Sequence, residues 1–105
     1  TSDLIAKKLS LSKEDYTVTF QSRLDDKWLK PYTDKIMLDL VKLKKDKVLV
    51  LSPAFVSDCL ETLIEISNAN REEFIEKGGK DLKLVPSLND NDLWVDTIIN
   101  MVNNA

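Results

Sequence analysis

The run Val48-Leu49-Val50-Leu51, closed by Ser52-Pro53, decides the fold. Four apolar residues in succession, with no polar alternation, read as a strand covered on both faces, the habit of parallel sheets. Before it, Ile36, Met37, Leu40, Val41 and Leu43 form one helical stripe, with Asp34, Lys35, Asp39 and Lys42 elsewhere. Pro31 sits where a first helical turn tolerates it, and Lys42, Lys44, Lys45 and Lys47 suit a helix C-terminus. After it, a long helix is expected from about Ser57 to Lys77, stopped by Gly78-Gly79. Leu82-Lys83-Leu84-Val85 is a further strand ended by Pro86. Asn89 or Asp90 would cap a last helix with Trp94, Val95, Ile98, Ile99 and Val102 on one face.

Upstream, Tyr16-Thr17-Val18-Thr19-Phe20 alternates as a strand does, and Leu4, Ile5 and Leu9 recur at helical intervals. The order is α-β-α-β-α-β-α. It predicts an α/β fold, a three-layer parallel sheet with helices on both faces and right-handed crossovers. No linker or repeat divides residues 1–105, so a single domain is expected. The chain opens with Thr1 rather than Met, and on a helix with no strand before it. A fragment is therefore expected, its first strand and a companion domain lying upstream.

Composition excludes much. The chain has 105 residues, 15 basic and 18 acidic side chains, and a net charge of −3, so no general field draws it to nucleic acid. Histidine is absent, which removes Ser–His and Cys–His nucleophile pairs and every imidazole metal ligand. The one cysteine, Cys59, cannot make an internal disulfide or a thiolate cage for zinc or an iron–sulfur cluster. Gly78 and Gly79 are the only glycines, so no phosphate-cradling loop can be built. No apolar run reaches the ~20 residues of a membrane helix. A reducing, cytoplasmic setting is the expectation.

Open parallel sheets bind ligands beyond the carboxyl ends of their strands. Three segments meet that description: residues 21–30, 52–56 and 86–89. On the long helix, counted at ~100° per residue, Asp58, Glu61, Glu65, Glu72 and Glu76 share a sector opposite Leu60, Leu63, Ile64, Phe74 and Ile75. That sector is either a solvated face or a carboxylate ladder for a hard cation or for protons. Trp28 is either a lid over the core or a flat wall for a flat ligand. Arg23 is either solvated or an anchor for a carboxylate.

These residues resemble the ferrochelatases. The resemblance rests on Phe20-Gln21-Ser22-Arg23, on Trp28-Leu29-Lys30-Pro31-Tyr32, on residues 52–63 (SPAFVSDCLETL) and on Pro86-Ser87-Leu88-Asn89. It covers nearly the whole chain in order. It implies one half of a two-domain chelatase fold, the C-terminal part of an enzyme that inserts Fe²⁺ into a porphyrin (protoporphyrin IX to protohaem). It implies that Glu61 and Glu65 handle metal or protons, and that Gln21, Ser22, Arg23, Trp28 and Phe55 border the porphyrin pocket. The family's next acid would fall near Ala69, so the acidic line looks shortened here. The family's essential histidine would lie upstream, so the chain alone is expected to be inactive.

The resemblance further implies porphyrin and Fe²⁺ as substrates, no permanently bound cofactor, and the missing N-terminal part as partner. It leaves peripheral membrane association open. Two alternatives differ in class: a small chelatase that builds its cleft by dimerising, and a non-enzymatic α/β interaction module. The latter is disfavoured as a phospho-receiver, because the strand ends read Phe20-Gln21, Leu51-Ser52 and Val85-Pro86 rather than acids and a lysine.

Overall fold

A computed structural model describes residues 1–105. The elements are α1 (Ser2–Lys8), α2 (Thr33–Lys42), β1 (Lys47–Val50), a π-helix (Glu61–Asn70), α3 (Arg71–Glu76), β2 (Asp81–Leu84) and α4 (Asp92–Asn103). The fold is mixed α/β around a two-stranded parallel sheet. Lys47, Val48, Leu49 and Val50 pair with Asp81, Leu82, Lys83 and Leu84 in order. Each strand begins one residue before its apolar run.

The third expected strand does not form. Residues 16–19 make no ladder, and Phe20 joins only an isolated parallel bridge with Tyr32. Phe20 N donates to Pro31 O, and Thr33 N donates to Phe20 O. Alternation and β-branching supply propensity, but a strand needs an edge to pair with, and β1 and β2 pair only with each other. Helices also cover one face of the sheet rather than both. Val48 and Val50 pack toward the core while Leu49 is 69% exposed.

The core is small. Met37, Ile66, Phe74 and Leu82 form it, with Val41, Val48, Val50 and Leu84 packed around them. Phe74 is fully buried beneath Gly79, where a Cβ would stand 2.2 Å from its ring. Gly78 ends α3 at φ +109, with Gly79 N donating back to Phe74 O. The glycine pair is thus the expected stop, for two reasons: one residue must turn left-handed and the other must leave room for a ring.

Helix α4 is capped by Asn91, whose side chain accepts from Leu93 N and Trp94 N. The expected cap, Asn89, is used elsewhere. No residue of α4 is buried, and Leu93, Ile99, Met101 and Val102 are half-exposed or more. The accessible surface is 8181 Å², against roughly 6,000 Å² for a folded monomer of this mass. Apolar residues of α1 and α4 are among those left exposed. No helix is long and apolar enough to cross a membrane.

Candidate functional site

The expected long helix runs unbroken from residue 60 to residue 76, but its first part is wound differently. Residues 61–70 close their turns with i→i+5 bonds, so each turn holds more than four residues. Residues four apart share a face in either winding, but a row of them drifts around a π-helix in the opposite sense. Thr62, Ile66, Asn70 and Phe74 accordingly form the inward row, the first two and the last buried and Asn70 half-buried. Leu60, Leu63 and Ile64, expected inside from a 100° count, are 75%, 48% and 53% exposed. Glu61, Glu65, Ala69 and Glu73 form the next row. Glu72 and Glu76 leave the acidic sector once the winding tightens in α3.

Asp58 also leaves that sector, because it precedes the helix and is fully engaged. Its carboxylate accepts from Asn89 Nδ2 at 3.0 Å, from Ser87 N at 3.3 Å and from Thr62 Oγ1 at 3.0 Å. Asp58 N returns a bond to Asn89 Oδ1 at 2.8 Å, and Asn89 takes φ +48 to make the pair. Asn89 N also donates to Val56 O. Bonds from Asn89, Ser87 and Thr62 hold the Asp58 carboxyl below the usual carboxylate range. This clamp joins residues 52–58 to residues 86–89 and fixes the start of the π-helix.

The 21–28 segment grips the same helix from the other side. Gln21 Nε2 donates to Glu61 O at 3.1 Å. Ser22 donates twice to the Glu65 carboxylate, N to Oε1 at 3.1 Å and Oγ to Oε2 at 2.9 Å. Trp28 Nε1 donates to Gln21 O at 2.9 Å, which ties the half-buried indole to the turn. Arg23 lies 4.8 Å over the Tyr32 ring, a cation–π contact. Gln21, Ser22, Arg23 and Glu65 line one cavity of about 350 Å³ with Asp34, Asn70 and Glu73.

The structure thus brings five expected residues together: Gln21, Ser22, Arg23 and Glu65 in the cavity wall, and Trp28 bonded behind it. Glu61 adjoins them through its backbone, one turn before Glu65, with an exposed side chain. The Cys59 thiol, with the Glu61 amide, holds the Glu61 carboxyl below its ordinary value. Phe55 stands apart; it lines no part of the cavity, and its amide closes a turn on Ser52 O. Glu73, Asp34 and Asn70 were not singled out by sequence. Spacing of four from Glu61 through Glu65 and Ala69 to Glu73 is the signal that finds Glu73, so the row passes over Ala69 and resumes.

The family described as Ferrochelatase matches residues 1–105. The ferrochelatase of Pseudomonas entomophila (strain L48) is 46% identical over 106 residues, covering 100% of this chain and 32% of that protein. That of Coxiella burnetii (strain CbuG_Q212) is 49% identical over 102 residues, 96% of this chain and 29% of that protein. The chain spans between 28% and 32% of the length of such relatives, at their C-terminal end.

Proposed function

The chain belongs to the ferrochelatase family, and from that premise we propose that it supplies the metal-handling wall of a porphyrin cleft completed by a longer polypeptide. The reaction is insertion of Fe²⁺ into a porphyrin, protoporphyrin IX to protohaem, a lyase step of haem synthesis. Porphyrin and Fe²⁺ are substrates; no resident cofactor or iron–sulfur cluster is needed. We read the intact enzyme as cytoplasmic, and this chain alone as inactive.

One observation carries the proposal. Glu61 and Glu65 lie four residues apart on one face of the helix, beside the turn that presents Gln21, Ser22 and Arg23. Metal insertion must strip water from a hard dication, and carboxylate oxygens replace it. Of the two roles open to Glu61, ligand or base, we favour the ligand, in keeping with its lowered carboxyl. A base for pyrrole protons works best with a pKa near the operating pH, whereas a metal ligand must be charged. We read Glu61 as a ligand first. Glu65 continues the row, and Trp28 and Phe55, with Gln21, Ser22 and Arg23, border the macrocycle.

The same premise supports the finer architecture in the intact enzyme. There residues 16–20 find a pairing edge, and residues 1–105 act as one domain of a three-layer chelatase. The exposed faces of α1 and α4 support a covering surface of that kind.

Reconstitution tests the function. Mixing this chain with the complementary N-terminal part should restore ferrous insertion, read as loss of porphyrin fluorescence. Glu61→Gln in the mixture should lower the rate at least a hundredfold (about 2.7 kcal/mol at 1.36 per decade). Full activity with Glu61→Gln would remove the assigned role.

A further inference from the structure

Ser12 donates with its amide and hydroxyl to one oxygen of Asp15 three residues away; the contact between Ser22 and Glu65 is of longer range and reaches both oxygens. Two donors of a single residue meet both oxygens of one carboxylate, across 43 positions of sequence. Ser22 makes them from φ +57, the left-handed region, where a residue with a Cβ is uncommon. Its neighbour Gln21 bonds the backbone of Glu61 one turn away. The turn therefore engages the helix at both acid positions, and at Glu65 it engages the functional group itself.

We propose that Ser22 is a positioning residue, which fixes the angle of the Glu65 carboxylate so that its free lone pairs face an incoming dication. This differs from a place in the porphyrin wall, and it rests on the reading of Glu65 as a cation ligand. An ionised carboxylate has about four acceptor sites. Ser22 occupies one on each oxygen and leaves one on each. A carboxylate already held in one rotamer has less side-chain freedom to lose when it ligates. Outer partners of metal-binding carboxylates are typically worth tenfold to a hundredfold in affinity or activity.

The test uses the complete enzyme carrying this chain, with Fe²⁺ and Zn²⁺ saturation curves at saturating porphyrin. Ser22→Gly removes the hydroxyl, keeps the amide and suits φ +57. It should raise the metal KM about tenfold, more than it changes kcat or the porphyrin KM, with the urea midpoint nearly unchanged. Glu65→Gln should raise the metal KM as well, and the double variant should match Glu65→Gln alone, because the hydroxyl acts through the carboxylate. An unchanged metal KM in Ser22→Gly beside a raised one in Glu65→Gln overturns the role of Ser22 and spares that of Glu65. An unchanged metal KM in Glu65→Gln overturns both. Additive effects in the double variant, or a urea midpoint that falls with the affinity, would also overturn the proposal.

Discussion

Replacing Thr62 by valine should lower the stability of the chain by about 1–3 kcal/mol, the cost of leaving a buried polar group unpaired. Thr62 is fully buried in the first turn of the π-helix, directly after Glu61. Its hydroxyl accepts from Cys59 N at 2.9 Å and donates to Asp58 Oδ1 at 3.0 Å, with Cys59 O at 3.1 Å as the competing acceptor. Valine has nearly the same shape, so no cavity opens and the packing contribution stays close to zero. What disappears is the only acceptor of the Cys59 amide and one of the donors to Asp58. Cys59 is half-buried, and Asp58 keeps Ser87 and Asn89, so the lower half of the range is expected. Urea unfolding at pH 7, followed by circular dichroism, reads the difference. With a slope of roughly 2 kcal/mol per M, the midpoint should fall by about 0.5–1 M with the slope unchanged. A midpoint within about 0.2 M of the parent would refute the claim that this hydroxyl secures the helix start.

Gly79→Ala should destabilise by about 1–3 kcal/mol, because the new methyl would stand 2.2 Å from Cε1 and 2.3 Å from Cδ1 of a ring with no exposed route of escape. Denaturant titration checks it, and adding Phe74→Leu should return part of the loss; parent-like stability would mean that the ring moves aside. The Asp58 clamp predicts a pH dependence. Its folded pKa is lowered, so its contribution is present above the ordinary carboxylate value of about 3.9 and is lost as pH falls through the lower folded one. Asp58→Asn should flatten the fall of stability below about pH 4; an identical acid limb in both proteins would show that the carboxylate is not clamped in solution.

The sheet was legible because its signals are local. An unbroken apolar run ending in Ser-Pro marks β1, a second ending in Pro marks β2, and a glycine pair stops the helix between them. The site was legible in part, because residues 21–23 do reach the acidic helix, although the bridge of Phe20 with Tyr32, not a strand end, precedes them. Winding was not legible. The inward row of Thr62, Ile66, Asn70 and Phe74 has two polar members, so an apolar count at the α-helical angle fixes on Leu60, Leu63 and Ile64 instead. Asp58 was misread for a different reason. Its partners Ser87 and Asn89 lie about thirty positions away, and only the closed fold brings them to it. Tyr16 to Phe20 carries every residue preference of a strand, but preference cannot supply a neighbour.

Parallel strands cannot be joined by a tight turn, so the path from β1 to β2 must travel back the length of the sheet. Here that return path, residues 51–80, is also where the acid row is mounted. One connector thus serves as both strut and workbench. Its length is set by the need to reach β2, its winding carries Thr62 and Ile66 inward, and its far end is anchored by the buried Phe74. Substitutions along the row are free to vary the chemistry, but insertions and deletions are not, since each would shift workbench and strut together.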